Sequence, residues 1–403
     1  MRALIRRLSV LLLIAVALVR PLPTVAAIDV GHEGPTYVGS APTGEKPESK
    51  AWFNDGWWWA SLWDTASSRY EIFKLNTATQ TWSSTDVALD TRSNSRADTL
   101  WSGTKLYVSS HVFSTSPASG FPSYLYRFSY NAATDTYALD AGFKQTINNY
   151  RSESLVIDKD STGQLWATWT FGSRVYINRT TSGDSAWGVP FQLPNASQVA
   201  SDDISSLIHY DGNKIGVFWG DQRGSTFRFA THDDATVSDT TWQTSVMVFP
   251  GTKNADDHMN LKSLATDSTG RVFAIVKTSR TVSSDPIVVL LVRTKTPSVK
   301  WTAYTIWRVS DHVTRPIVLL DASHNRIYAF SSTEGGGKVY QKTSSLSAIG
   351  FGSGIGAIVM SDVSNNAINN TTSTKQNLSS ATGLMVLASN DRTKRYWHLY
   401  ASL

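Results

Sequence analysis

A three-part pattern recurs seven times along the chain and constrains its fold more than any other feature. Each copy has a short apolar segment, then a Gly- or Asn-marked turn leading into one strand rich in aromatic and β-branched residues, then a second such strand. A unit of roughly 50 residues that holds about four strands is the sequence signature of a β-propeller blade. Seven copies therefore predict an all-β, seven-bladed β-propeller.

Within each unit the pattern predicts four strands, from an inner strand a to an outer strand d. The b strands are the clearest, as in WWWASLWD (57–64) and KIGVFWGD (214–221). In units 5 and 7 the inner strands are predicted at SLAT (263–266) and NLSS (377–380). An aromatic residue marks the predicted d strand of units 1 to 6: Trp82, Tyr137, Trp187, Trp242, Trp301 and Phe351.

The seventh unit has no d strand of its own, because the sequence stops at Leu403. We expect residues near the N-terminus, around PTYVGSA (35–41), to supply it, so that strand exchange between the two ends closes the ring. Such closure hides a sheet edge that would otherwise promote aggregation. The alternatives are a six-bladed ring with one degenerate unit, or two smaller β domains.

The first residues have the pattern of a secretory signal peptide. MRALIRR is basic, an apolar run of about a dozen residues follows, and small residues precede a predicted cleavage after Ala27. The apolar run is shorter than the ~20 residues that a membrane-spanning helix needs. The sequence thus predicts a signal peptide over 1–27 and a single propeller domain over 28–403, secreted to the cell envelope or beyond and not attached to a membrane.

Composition narrows the function classes. The chain has no cysteine, which excludes disulfides, thiolate metal sites and cysteine nucleophiles and favours a bacterial exported protein. The net charge is +5, but four arginines lie in the predicted leader (Arg2, Arg6, Arg7 and Arg20), so the mature chain is close to neutral. No basic run remains to follow a phosphate backbone, which argues against nucleic-acid binding. A monomer is expected.

The d–a connections contain most of the residues capable of chemistry. Each leads into an inner strand beside the central channel, so the symmetry of a propeller should direct them to one pocket. The candidate ligand-binding residues are Lys50, Arg96, Arg151, Arg315 and Lys375. The candidate catalytic residues are Glu153, Asp203, His258 and His312. The alternative is that these charged groups are simply solvated loop residues.

One run, Asp256-Asp257-His258, has metal-ligand chemistry. Its spacing matches no defined metal motif, and adjacent residues of an extended segment point in opposite directions. An ion pair or a solvated loop is the preferred interpretation, and we predict neither a metal nor a cofactor.

Unit 3 carries Thr181-Ser182-Gly183-Asp184-Ser185-Ala186-Trp187, which resembles a degenerate Asp-box, the S-x-D-x-G-x-x-W turn of the sialidase-like (BNR-repeat) propellers. That turn is structural, so the resemblance implies a fold. In that family three arginines bind a substrate carboxylate, a role that Arg96, Arg151 and Arg315 could fill here. The absence of an Arg-Ile-Pro signature in the first unit and of an identifiable Tyr–Glu nucleophile pair argues against sialidase activity.

Together these features predict an exported propeller that binds a glycan or other anionic polymer at the d–a face. The alternative is a polysaccharide lyase or glycoside hydrolase acting on an acidic polysaccharide. In the enzyme, the three arginines would hold a carboxylate, His258 or His312 would be the base, and Glu153 or Asp203 the acid or orienting group. The enzyme needs an imidazole and a carboxylate within hydrogen-bond reach of each other in the pocket, and the binding module does not.

Overall fold

The computed structural model describes residues 29–44, 46–264, 269–295 and 297–403. These residues form seven antiparallel sheets, and their one helical element is a 3-10 turn at Val309–Asp311. Within the same ranges, no helix has the length and apolar character needed to cross a membrane. The predicted signal peptide (1–27) lies outside the described residues.

Each sheet is one blade, and its strands are numbered in chain order. Strand β1 is His32–Thr36. Blade 1 contains β2 (Ala51–Asn54), β3 (Trp57–Asp64), β4 (Arg69–Asn76) and β5 (Thr81–Asp90). Blade 2 contains β6 (Ser95–Trp101), β7 (Lys105–Val112), β8 (Ala118–Asn131), β9 (Thr136–Leu139) and β10 (Gln145–Arg151). Blade 3 contains β11 (Val156–Lys159), β12 (Leu165–Phe171), β13 (Arg174–Ser182), β14 (Ala186–Trp187) and β15 (Phe191–Gln192).

The remaining blades follow the same order from inner to outer strand. Blade 4 contains β16 (Ser205–Tyr210), β17 (Lys214–Asp221), β18 (Thr226–Asp233) and β19 (Val246–Met247). Blade 5 contains β20 (Met259–Ser263), β21 (Val272–Lys277), β22 (Pro286–Thr294) and β23 (Lys300–Arg308). Blade 6 contains β24 (Val313–Asp321), β25 (Arg326–Thr333), β26 (Lys338–Ser345) and β27 (Ala357–Ser361). Blade 7 contains β28 (Ile368–Thr372), β29 (Leu384–Asn390) and β30 (Arg395–Ala401), followed by β1.

Two features close the ring between blades 7 and 1. Strand β1 lies antiparallel to β30, with His32 opposite His398 and Thr36 opposite Arg395. At the channel, the backbone N–H groups of Lys50 and Ala51 both donate to the carbonyl of Ser373, at 3.1 Å each. The predicted seven-bladed ring with strand exchange is therefore confirmed, and the six-bladed and two-domain alternatives are wrong.

Five strand boundaries differ from the prediction. In blade 4 the d strand is β19, which begins after the predicted marker Trp242. The closing strand ends at Thr36, so it overlaps only the start of the predicted 35–41 segment. In blade 6 the d strand is β27, not the segment around Phe351. In blade 7 the inner strand is β28, and the predicted segment 377–380 belongs to the connection that follows it. A β-bulge interrupts the pairing of β28 with β29. In blade 5 the inner strand β20 begins at Met259, which places 256–258 directly before it.

Aromatic side chains fill the spaces between blades. Of the 15 tryptophans, eight are among the largest fully buried side chains: Trp52, Trp58, Trp59, Trp166, Trp169, Trp219, Trp307 and Trp397. Trp52 joins blades 1 and 2, since its indole N–H donates to Tyr137 Oη at 2.9 Å and the two rings meet edge to face. Burial in the core thus explains most of the high tryptophan content, as aromatic residues contribute large apolar area to a fold without disulfides.

The a–b face of the channel is covered by the long connection 373–383 between β28 and β29. The side-chain amide of Gln376 pairs with both backbone groups of Phe53, at 2.7 and 2.9 Å. Asn377 donates to the carbonyl of Ser263 at 2.9 Å, and Leu378 forms a parallel bridge with Asp321. This long a–b connection therefore joins blades 1, 5 and 6.

Candidate functional site

A cavity of about 410 Å³ opens on the d–a face above blades 1, 2, 6 and 7. Two of the predicted arginines, Arg96 on β6 and Arg315 on β24, line it together, although 219 positions apart in the numbering. Its other walls are the segment after β1, the connection into β6, and the first residues of β28: Gly39, Ser40, Ala41, Ser93, Asn94, Phe113, Asn369, Asn370 and Asp391.

Backbone irregularities position two of these residues. The pairing of β24 with β25 shifts register between Thr314 and Ile317, and that of β28 with β29 shifts between Asn369 and Thr372. Within these bulges, Arg315 has φ of 53° and Asn370 has φ of 58°, both in the left-handed region that non-glycine residues rarely adopt. Bulges redirect side chains, and strained residues concentrate at binding sites. Two neighbouring inner strands therefore deviate from regular geometry at the same cavity.

The guanidinium groups of Arg96 and Arg315 have unused donors. Arg96 is 4% exposed, and its terminal nitrogens donate to the carbonyls of Ser95 and Ser40 at 3.0 and 2.5 Å. Its Cζ lies 4.9 Å from the ring centroid of Phe113, so the aromatic ring packs against the guanidinium group. Among the described residues, the buried Nε atoms of Arg96 and Arg315 have no hydrogen-bond partner. A buried donor without a partner is costly, so both guanidinium groups keep unused hydrogen-bonding capacity beside the cavity.

Among the described residues, Asp391 is the one carboxylate that lines the cavity, and local donors already engage it. It accepts from Tyr37 Oη at 2.7 Å, from the backbone N–H of Ala41 at 2.9 Å and from Ser40 Oγ at 3.0 Å. Burial opposes ionisation, but these hydrogen bonds outweigh it and hold the pKa of Asp391 below its usual range. Asp391 therefore stabilises the 37–41 wall, and the open donors of the cavity are cationic.

Next to this cavity, Lys46 lies at the mouth of the channel. Its side chain is 4% exposed, and its ammonium group lies 2.6 Å from Glu153 and 2.5 Å from Asp257. Its backbone carbonyl accepts from Asn260 on β20 at 3.4 Å. The segment before β2 thus crosses the mouth and joins the connection into blade 3 to blade 5.

His258 belongs to the same cluster. Its Nδ1 lies 2.5 Å from Asp256 and 2.6 Å from Asp257, while its Nε2 lies 3.4 Å from Thr314 Oγ1. Carboxylates on Nδ1 orient an imidazole, so that Nε2 is directed away from them. Thr314 precedes Arg315, so this Nε2 faces the strand that carries the cavity arginine. His258 is not among the residues that line the cavity, so its contacts with the two carboxylates lie beside the cavity and not within it.

Cations already neutralise the carboxylates around His258. Lys277 donates to Asp256 at 2.9 Å. Burial would raise the pKa of Asp257, but His258 and Lys46 outweigh it, so that pKa lies well below its usual value. Asp256, Asp257 and His258 could offer three ligand atoms within 4.8 Å of one another. The direct contacts among them instead form an ion-pair network, and no metal is proposed.

The other predicted site residues lie apart from this cavity. Asp203 is buried before β16, and its Oδ2 accepts from the backbone N–H groups of Ala200 and Gln222. His312, 73% exposed in its side chain, lies on the rim 3.7 Å from Glu334. Arg151 is absent from the residues lining the cavity and stacks on Phe121 instead.

The two predicted lysines are engaged elsewhere. Lys50 is buried within the channel and donates to Glu48 at 2.7 Å. Lys375 pairs with Asp98 at 2.9 Å, and it lies on the a–b face because β28 ends before it. Both lysines therefore stabilise the channel interior, and neither lines the d–a cavity.

Sequence reasoning missed several charged groups inside the channel. Glu48 accepts from Lys50, from His111 Nε2 at 2.7 Å and from the backbone N–H of Leu155, and although burial opposes it, these partners lower its pKa to about 2. Lys262 is fully buried, and burial lowers its pKa to about 7. Lys46 and Glu48 could have been found, because they share the segment before strand a in which Lys50 was noticed. Lys262 sits in a regular apolar strand and offered no such signal.

Comparison with solved structures agrees with the fold. An ulvan lyase of polysaccharide lyase family 25, bound to -[GlcA(1-4)Rha3S]-, matches with a TM-score of 0.54 and 10% identity over 93% of this chain and 96% of that one. The periplasmic gluconolactonase PpgL of Pseudomonas aeruginosa matches with a TM-score of 0.55 and 9% identity over 85% of this chain and 91% of that one. No protein-family model and no curated protein matches the sequence. At these identities the comparisons show a shared propeller fold alone.

Proposed function

We propose that this protein binds an acidic glycan through the d–a cavity, with a carboxylate or sulfate held by Arg96 and Arg315. The observation that carries the proposal is that two arginines line one cavity, and that each has a buried Nε without a hydrogen-bond partner among the described residues. Arginine presents a planar fork of donors that matches such anions in two contacts. Each charge-assisted hydrogen bond contributes roughly 1.5–3 kcal/mol.

The rest of the lining suits a sugar better than a bare anion. Ser40, Ser93, Asn94, Asn369 and Asn370 surround the two arginines and offer both donors and acceptors for hydroxyl groups. The ulvan lyase that shares this fold was solved with a ligand of glucuronate and sulfated rhamnose units, which makes uronate and sulfated polysaccharides the first probes.

Calorimetric titration with oligosaccharides of ulvan, alginate and hyaluronan tests the proposal, with neutral dextran as the comparison. We expect at least one acidic probe to bind, and Arg315→Gln to weaken it by at least ~10-fold, since one lost contact of this kind removes about 1.4 kcal/mol or more. Arg326→Gln removes an exposed arginine from the start of β25 and should leave binding unchanged. Equal affinities of Arg315→Gln and the unaltered protein would reject the proposal.

A second candidate is cleavage of the bound glycan, by elimination or by hydrolysis. The observation that favours it is the imidazole of His258, oriented by two carboxylates and facing Thr314 beside Arg315. In an elimination, Arg315 would stabilise the negative charge on the uronate carboxylate while a base removes the C5 proton, the glycosidic C4–O bond breaks as the C4–C5 double bond forms, and the departing oxygen takes a proton from water. We propose His258 Nε2 as that base.

Ultraviolet absorbance of an unsaturated uronate product would identify elimination, and new reducing ends without that absorbance would identify hydrolysis. His258→Gln should abolish either reaction and keep glycan affinity within a few-fold of the unaltered protein. His324→Gln, on the opposite face and paired with Asp321, is the matched control. If His258→Gln retained full activity, His258 would not be the base.

A further inference from the structure

Strands β8 and β10 of blade 2 continue beyond their neighbour and form a two-stranded ribbon on the d–a face. The pairing of β7 with β8 ends at Ser110 and Tyr124, whereas β10 pairs with β8 as far as Arg151 and Ala118. We define the blade-2 ribbon as residues 118–123 with 148–151.

Arg151 lies at the end of this ribbon and has spare donors. Its Cζ lies 4.8 Å from the ring centroid of Phe121, and its Nε donates to the carbonyl of Ser116 at 3.0 Å. Among the described residues no carboxylate lies within ion-pair distance of Arg151, and its terminal nitrogens make no hydrogen bond. Stacking on the ring fixes the plane of the guanidinium, so little entropy is lost when its free edge meets an anion.

The ribbon is continuous with the cavity. Phe113, which lies under Arg96 in the cavity, forms a parallel bridge with Ser152, the residue after Arg151. Ser114 also donates its backbone N–H to the carbonyl of Ser152 at 3.0 Å. The same unit thus occurs twice in succession from the cavity outward, as an arginine stacked on a phenylalanine: Arg96 on Phe113, then Arg151 on Phe121.

We propose that Arg151 and Phe121 form a second anion subsite, so that the protein takes a chain of several acidic sugars and not a single one. This inference rests on the proposed function. A polymer that places one acidic group between Arg96 and Arg315 would continue over blade 2 and bring a later acidic group to Arg151. Blade 2 carries both Arg96 of the first subsite and Arg151 of the second, which favours simultaneous engagement of both groups by one chain.

Affinities for ligands of different length test the inference. The cavity should bind a single sugar, whereas the Arg151 subsite should contribute only when the ligand is a chain. Glucuronate serves as the single sugar, and longer uronate oligosaccharides serve as the chain. We expect Arg151→Gln to weaken oligosaccharide binding by about 10-fold and to leave glucuronate binding unchanged. Arg96→Gln should weaken both, and Arg326→Gln neither. Phe121→Leu should reproduce part of the Arg151→Gln effect.

The outcomes separate this inference from the one on which it rests. If the unaltered protein binds oligosaccharides and Arg151→Gln binds them equally well, the second subsite is wrong and the cavity proposal stands. An equal loss for glucuronate and oligosaccharides in Arg151→Gln would also overturn the second subsite. If neither ligand binds the unaltered protein, both proposals fail.

Discussion

The ammonium group of Lys46 lies 2.6 Å from the carboxylate of Glu153, across 107 positions of sequence. The same ammonium group contacts Asp257, so one cation from the N-terminal segment joins two other parts of the ring. The charged residues that the sequence predicted around a central pocket are therefore largely paired with one another. The open cationic groups lie to one side, above blades 6, 7, 1 and 2.

The first prediction concerns this bridge. Lys46→Met leaves two carboxylates at the channel mouth without their shared cation, and breaking such a buried pair costs about 3–5 kcal/mol. We expect the free energy of unfolding, measured by urea denaturation, to fall by that amount. The matched control is Lys295→Met, which removes a 42%-exposed lysine paired with Asp211 and should cost at most about 1 kcal/mol.

The double variant Lys46→Met with Glu153→Gln removes one of the two carboxylates that had contacted Lys46. It should recover part of the lost unfolding free energy. Equal stability of Lys46→Met and Lys295→Met would show that the mouth is open to water and that the bridge adds nothing.

The sequence predicted the fold better than the site, and the reason is periodicity. Strands such as β3 and β17 repeat an aromatic pattern that any blade needs, so their bounds could be read directly. Strand β28 could not, because its Asn-Asn-Thr-Thr run at a β-bulge lacks the apolar alternation of an inner strand. Misplacing that strand assigned Lys375 to the wrong face.

The site depended on contacts that no local pattern records. The sequence named Arg96 and Arg315, and these two share a cavity because blades 2 and 6 both face it. Arg151 was grouped with them, but blade 2 continues into a ribbon that carries it outward. The membership of the chain in the sialidase-like family stays a prediction, since it rests on the turn around Asp184 alone. That carboxylate accepts from Tyr107 and Arg127 of blade 2, which is a structural role.

The second prediction concerns ring closure. Deleting residues 28–37 removes β1 and exposes the hydrogen-bonding edge of β30. We expect a lower melting temperature and aggregation, because an unpaired edge strand recruits other chains. A chain that starts at Asp29 keeps β1 and is the control, and light scattering during a thermal melt is the measurement. Identical melting of the two chains would mean that β1 contributes nothing to closure.

The third prediction concerns the aromatic residues between blades. Trp242 is 8% exposed and meets Trp166 edge to face at 5.7 Å, so Trp242→Ala should cost about 3–5 kcal/mol of unfolding free energy. Trp187 is only partly buried, and Trp187→Ala should cost clearly less. Neither change should alter glycan affinity. A Trp242→Ala protein of normal stability that had lost glycan binding would contradict this packing role.

The fourth prediction concerns pH and Asp203. Burial raises the pKa of Asp203 from 3.8 to about 6, since its two backbone donors do not offset the loss of water and its Oδ1 has no partner among the described residues. Gly220 allows this arrangement, because a Cβ there would lie 2.6 Å from that Oδ1.

The folded protein therefore holds this proton more tightly than the unfolded chain does. The stabilisation is complete below about pH 4 and is lost as the pH rises through about 6, a change of about 3 kcal/mol for a shift of this size. Asp203→Asn cannot titrate, so the difference in unfolding free energy between it and the unaltered protein should change by that amount across this window. A constant difference between Asp203→Asn and the unaltered protein would show that Asp203 is ionised throughout.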